Sequence, residues 1–251
     1  MATGEDPWAL PPRQLLLEEG SLHIWRASLD LPEGARGRLH GALSAAEREQ
    51  CGRLVRPADR ARCVAARASL RVVLAKYVHA EPRALPIEVG ASGKPSLDRS
   101  TGIQFNVSHT GDLALIAVTR SVRVGIDVER IRHVRDMDVI LRDFFGEQER
   151  AYVHSRAAEE RTRTFFLLWT RREAAAKAVG LGLFDSFARW TLSPSDFDRS
   201  GFKLALSPPG ARSGSTESWW MRDLLPAPDC AGALCVETRN PDPSFWLLAP
   251  P

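Results

Sequence analysis

Three carboxylates and one amine carry the clearest chemistry in this chain. Asp127 and Glu129 stand two residues apart in Val124-Gly125-Ile126-Asp127-Val128-Glu129. On an extended strand that spacing puts both side chains on one face, about 7 Å apart. Glu173 and Lys177 are four residues apart in an alanine-rich stretch, so on a helix they also share a face. If Glu173 joined the strand pair, the three carboxylates would repel one another until a cation neutralised them. Oxygen-only ligands suit a hard ion such as Mg²⁺, which keeps waters and phosphate oxygens in its shell. The plainer alternative is a wet sheet face for Asp127 and Glu129, with Glu173 and Lys177 as a helical ion pair of about 0.3–0.5 kcal/mol. Ser108-His109 places a hydroxyl and an imidazole at a strand end, a combination suited to phosphate. As nucleophile and base the two are poorly placed, because neighbours on a strand point to opposite faces. Gly93-Lys94-Pro95 is a turn that contains one of only four lysines.

The patterning supplies elements to hold these groups. Val122, Val124, Ile126 and Val128 alternate with Arg123, Gly125, Asp127 and Glu129, which predicts a strand. Ile103, Phe105 and Val107 alternate with polar residues up to Ser108, and the apolar run 113–118 predicts a central strand beside it. Residues 161–179 form the strongest helical stretch, with Phe165, Trp169, Glu173 and Lys177 along one stripe and Gly180 and Gly182 as its stop. Upstream, 21–31 reads as a strand, and Ser44-x-x-Glu47 is a capping box that opens a helix. A second helix covers 57–78, where Arg60, Arg67 and Arg71 share a face that reads as a solvated stripe. The proline-rich first 20 residues read as irregular, with Leu15 to Leu17 packing as a flap. Further strands are expected at 190–192, 202–206, 219–223 and 233–238, with a loop at 207–218. The irregular mixture of helices, strands and tight turns predicts an α+β fold with antiparallel sheets.

Composition removes several classes. The chain has 251 residues, 44% hydrophobic and 26% charged, which fits one large or two small globular domains rather than a disordered or collagen-like chain. No run of about 18 apolar residues occurs, so no membrane-spanning helix is expected. Glu5 and Asp6, without an apolar core behind them, argue against a secretory leader. A cytoplasmic location is the resulting expectation. Cys51, Cys63, Cys230 and Cys235 form no C-x-x-C pair and read as reduced, buried or half-buried thiols, with neither zinc nor a disulfide framework. Net charge is +3, and all but four of the 34 basic residues are arginine, which points to a phosphate ligand, an acidic protein or coding bias. The arginines are dispersed without interleaved aromatics, and neither a Walker A motif nor G-x-G-x-x-G occurs, so nucleic acid is set aside.

Taken together, these pieces resemble one family, the 4′-phosphopantetheinyl transferases of the longer, Sfp-like type. Three blocks carry the likeness in the right order. The first is Gly93-Lys94-Pro95 followed by Phe105-Asn106-Val107-Ser108-His109-Thr110-Gly111. The second is Val124-Gly125-Ile126-Asp127-Val128-Glu129. The third starts at Trp169-Thr170-Arg171-Arg172-Glu173, continues through Lys177, and ends Gly180-Leu181-Gly182-Leu183. It matches W-x-x-K-E-x-x-x-K-x-x-G-x-G-L, with Arg172 where lysine is usual. Phe144-Phe145 with Glu149 also resembles the family's F-F-x-x-x-E segment, and the likeness covers most of 43–238.

The resemblance implies a pseudo-dimer of two similar α+β halves with the active site in the cleft between them. Residues 1–120 would form the coenzyme A side and 121–251 the metal, catalytic and carrier-protein side. It implies Mg²⁺-dependent transfer of the 4′-phosphopantetheine arm of coenzyme A to a serine of an acyl or peptidyl carrier protein, releasing adenosine 3′,5′-bisphosphate. Asp127, Glu129 and Glu173 would be the Mg²⁺ ligands. Glu173, or a water it orients, would take the serine proton, and Lys177 would neutralise the pyrophosphate. Ser108 and His109 would meet the 3′-phosphate, and Gly93 with Lys94 would line the nucleotide end. Gln50 stands where the family often has a basic residue, so Arg48, Arg53 or Arg67 is expected to serve instead. We expect a monomer that uses no membrane, with the segment 131–158 and the helix start as carrier contacts. Competing readings are a non-enzymatic binder that kept the fold, which would have lost a carboxylate or Lys177, and an arginine-rich nucleic-acid binder.

Overall fold

In the computed structural model, which describes residues 7–90, 93–180, 192–206, 217–237 and 241–249, the alternating stretch after residue 21 becomes strand β1 (Leu22–Ser28). Helix α1 (Glu33–Ala42) follows. Its three glycines lower its intrinsic helicity, which is why the pattern concealed it. Helix α2 (Ala45–Gly52) begins at the expected capping box: Ser44 Oγ accepts from the Glu47 amide at 3.3 Å, and Glu47 Oε2 accepts from the Ser44 amide at 3.0 Å. Helix α3 (Pro57–Val78) has proline in its first turn and closes on His79 in the left-handed region, with φ 50°. A short hairpin of β2 (Glu88–Val89) and β3 (Pro95–Ser96) leads to β4 (Ile103–Thr110) and β5 (Leu113–Arg120). Then come β6 (Val124–Arg130), α4 (Met137–Phe144), α5 (Glu147–Ser155) and α6 (Ala158–Val179). The chain ends with β7 (Gly201–Leu206), β8 (Glu217–Leu224), β9 (Cys230–Val236) and β10 (Pro243–Leu248).

The chain divides into two units. The first comprises Met1–Gly90, Pro95–Ser121 and Asp242–Pro251. Its sheet runs β10-β1-β5-β4, with β1 parallel to β10 and the other neighbours antiparallel. Helix α3 packs on this sheet over a core that includes the fully buried Trp25, Leu74 and Ile116. The second unit comprises Ala91–Lys94 and Val122–Pro241, and its sheet, β6-β9-β8-β7, is antiparallel throughout. Its core joins α6, through Phe165, Phe166 and Leu168, to Trp219 and Met221 of the sheet. Each unit therefore sets one 22-residue helix against a four-stranded sheet, and the fold is α+β. Among the described residues no helix is long and apolar enough to cross a membrane.

Two expectations need correction. Cys51 and Cys63 form a disulfide rather than remaining reduced. Helix α2 ends at Gly52 and the chain turns back into α3 within a few residues, which brings the two Cα atoms to 5.6 Å, inside the range a disulfide spans. No short cysteine motif announces a pair twelve positions apart. Cys230 and Cys235 are buried thiols as expected. Arg71 is the second correction, because the arginine face of α3 is not a uniformly solvated stripe. Arg71 is buried, ion-paired to Glu47 and donating to the Pro82 and Leu85 carbonyls at 2.8 and 3.1 Å. The acid that caps α2 thus also ties α2 to α3. Helices α4 and α5 and strand β10 were not anticipated, being short and interrupted by polar residues. Gly182, positions 190–191 of the expected strand, 207–216 of the expected loop and position 238 lie outside the described residues.

Candidate active site

The acidic strand and the long helix meet through glycine. Gly125, Asp127 and Glu129 occupy one face of β6. A Cβ on Gly125 would stand 2.1 Å from the Ala174 carbonyl oxygen and 2.4 Å from the Ala178 amide nitrogen of α6. Only glycine permits that approach, and the small side chains of Ala174 and Ala178 permit it from the helix side. The face of β6 that carries the acids is therefore covered by α6 rather than wet, and Asp127 is only 3% exposed. Lys177 places Nζ 2.6 Å from Asp127 Oδ1.

The roll of α6 is set by two buried arginines just before Glu173. Arg171 makes a two-pronged contact with Asp223 of β8, both bonds at 2.7 Å, and also donates to carbonyls at 196, 197 and 199. Arg172 pairs with the fully buried Glu149 of α5, with Nε 3.0 Å from Oε1, while its guanidinium lies 5.2 Å from the Phe145 ring centroid. Glu149 Oε2 also accepts from the Gly146 amide at 2.8 Å and so caps α5. The F-F-x-x-x-E segment and the arginine before Glu173 thus form one structural clasp.

Burial, then the charge of Asp127 and that of Glu129, push the Glu173 carboxyl up to about 7, against the opposing pull of Lys177. A carboxyl poised there exchanges protons near neutrality. Its folded pKa lies above the ordinary value of 4.5, so the folded state binds this proton more tightly than the unfolded chain. Stability is accordingly lost as pH rises from about 4.5 to 7. In EDTA, Glu173→Gln is expected to be more stable than wild type at pH 8, by on the order of 1–2 kcal/mol after allowance for solvent screening, and equal to it at pH 4. Denaturation at the two pH values measures this, and a gap that does not change with pH contradicts it.

Among the described residues, no group of three His, Cys, Asp or Glu side chains is drawn together tightly enough to hold a metal ion, and Lys177 supplies positive charge at Asp127. The donor chemistry still fits a hard cation: Asp127, Glu129 and Glu173 offer oxygen only, and the first and second raise the third by their charge.

The other sequence-designated residues divide between the units. Gly93 occupies a turn with φ 78°. Lys94 Nζ donates to the Lys177 carbonyl at 2.7 Å and to the Val124 carbonyl at 3.2 Å. In the first unit, Arg67 and His109 line a cavity of about 590 Å³ together with Arg62, Cys63 and Thr110. Ser108 is buried in β4, one position before His109. Arg53 lies at the end of α2, its exposed guanidinium on Glu49 at 2.6 Å. Arg62 escaped the sequence reading, and it is held by Asp112 at 2.8 Å. The available signal was the helical spacing of Asp59, Arg62, Cys63, Ala66 and Arg67, which puts all five on one face of α3 and against this cavity.

Comparison with known proteins identifies the family. The profile described as "4'-phosphopantetheinyl transferase, N-terminal" matches residues 37–121, and that described as "4'-phosphopantetheinyl transferase superfamily" matches 123–218. The 4′-phosphopantetheinyl transferase HetI of Nostoc sp. is 32% identical over 243 residues, covering 95% of this chain and 97% of the relative. A 4′-phosphopantetheinyl transferase of Bacillus subtilis is 30% identical over 66% of this chain and 75% of its own. Sfp of Bacillus subtilis strain 168 is 27% identical over 60% of this chain and 67% of its own. With a relative matched almost end to end and both halves recognised separately, the chain belongs to the 4′-phosphopantetheinyl transferase family and is a transferase.

Proposed function

We propose that the protein transfers the 4′-phosphopantetheine group of coenzyme A to a serine of an acyl or peptidyl carrier protein in a Mg²⁺-dependent reaction, releasing adenosine 3′,5′-bisphosphate. The observation that carries this reading is the close approach of β6 and α6 at Gly125, which sets Lys177 on Asp127 and brings Glu173 within the charge influence of Asp127 and Glu129. Asp127, Glu129 and Glu173 would hold Mg²⁺. When bound, the ion supplies positive charge to the pyrophosphate oxygens on which negative charge builds.

The remaining chemistry is the work of the chain's own side chains. The serine oxygen forms a bond to the β-phosphorus of coenzyme A, and the bond from that phosphorus to the bridging oxygen breaks with the adenosine bisphosphate leaving. Glu173 accepts the serine proton, directly or through a water it orients. Lys177, held against Asp127, offers its ammonium to the leaving oxygens. In the first unit, Arg67, His109 and Arg62, which line one cavity, supply basic groups for the 3′-phosphate. Gly93, whose turn leaves its backbone open, lines the nucleotide end.

The test is direct. The protein is incubated with coenzyme A, Mg²⁺ and a panel of apo acyl and peptidyl carrier domains, and intact mass is read for the added arm. Modification of at least one carrier, abolished by EDTA, is the expected outcome. No added mass on any carrier overturns the proposal.

A further inference from the structure

We infer that Lys94 is a positioning residue that clasps β6 to the last turn of α6, rather than a contact for the nucleotide. The inference rests on the reading of Asp127, Glu173 and Lys177 as the reacting end of the site. The Lys94 ammonium donates to the Lys177 carbonyl at 2.7 Å and the Val124 carbonyl at 3.2 Å. Those two carbonyls belong to the two elements that must be held together: Val124 begins β6, which bears Asp127 and Glu129, and Lys177 lies in the final turn of α6, four residues after Glu173.

Three features assign Lys94 this work. The last carbonyls of a helix have no partner inside it, and a cation there both satisfies one and complements the helix dipole. Lys177 points its own amine at Asp127, so the backbone of the same residue must be fixed if that 2.6 Å contact is to be held. At Gly125 the two elements meet backbone to backbone, against Ala174 and Ala178, so a small shift of α6 is not absorbed by side chains there. A two-carbonyl clasp adds a backbone tie to the Lys177–Asp127 contact and keeps the last turn of α6 in register with the start of β6. Lys94, Val124 and Lys177 all belong to the second unit, so the clasp is internal to it.

A nucleotide contact and a clasp separate cleanly in kinetics. Lys94→Met keeps the aliphatic stem and removes every donor. The clasp predicts a fall in kcat of about 10- to 100-fold, as expected when reacting groups are misplaced by about 1 Å, with the KM and the directly titrated Kd for coenzyme A within about 3-fold of wild type. It also predicts faster hydrogen exchange at the amides of the last turn of α6, read by mass spectrometry on the apo protein. Lys94→Gln, which keeps one donating group on a shorter stem, should recover part of kcat and part of the protection, and it serves the same test if Lys94→Met does not fold. A rise of about 10-fold or more in the Kd for coenzyme A with kcat unchanged overturns the clasp, as does wild-type kcat in both variants. Asp127→Ala measured in parallel separates this from a failure of the site reading: if it too is fully active, the reacting end itself has been misassigned.

Discussion

Asp127→Ala and Glu173→Ala should each lower transfer to a carrier protein by at least about 10²–10³-fold while the protein stays folded. Asp127 is buried, yet its replacement by a small residue leaves no buried charge behind, because Lys177 is partly exposed and can turn to solvent. The cost therefore falls on chemistry rather than on folding. Without Asp127 the ammonium of Lys177 loses its 2.6 Å anchor, and Glu173 loses one of the two negative neighbours that raise its pKa. Glu173→Ala removes the proton acceptor itself, and Glu173→Gln should be equally inactive because it cannot accept the proton. Circular dichroism and thermal melting establish folding, and intact-mass assays measure turnover. Near-wild-type turnover in either alanine variant rejects both the metal assignment and the role of Glu173.

The largest effect on stability is expected at Arg172. Its partner, Glu149, is fully buried, and Arg172→Met strands that carboxylate in the core of the second unit. Breaking one side of such a pair costs about 3–5 kcal/mol, far more than the pair contributes relative to apolar residues of like size. Arg172→Met should therefore unfold at much lower denaturant concentration, whereas Arg172→Met with Glu149→Leu should recover a substantial part of the loss. Arg172→Lys should fall between, since a lysine keeps the charge but replaces a two-pronged contact by a single point donor. A loss below about 1 kcal/mol in the single variant contradicts this account. Because Arg172 precedes Glu173, loosening this clasp should also lower kcat before it lowers affinity for coenzyme A.

Much of the site was legible because its signals are local. The two-residue period put Asp127 and Glu129 on one face, and the four-residue period put Glu173 and Lys177 on another. The capping box at Ser44 and the proline at 57 marked helix starts that appear at those positions. The motif blocks at 93–95, 105–111, 124–129 and 169–177 led to the family that the comparisons support. The first readings of Arg71 and of Cys51 and Cys63 failed for a common reason. Each depended on what lay across from the residue, and a single chain pattern does not record that.

What the sequence by itself determined is the inventory: which residues can carry charge or a proton, which strands and helices present them, and which family they belong to. The tertiary structure alone decided the pairings. Glu47 caps α2 and also receives Arg71, Arg171 and Arg172 anchor on Asp223 and Glu149, and Lys94 reaches carbonyls 30 and 83 positions away. Local periodicity follows from backbone geometry repeated at every residue, so it survives in the sequence. Partner choice between distant residues follows from close packing of a particular core, in which one missing Cβ at Gly125 sets how near a helix comes to a strand.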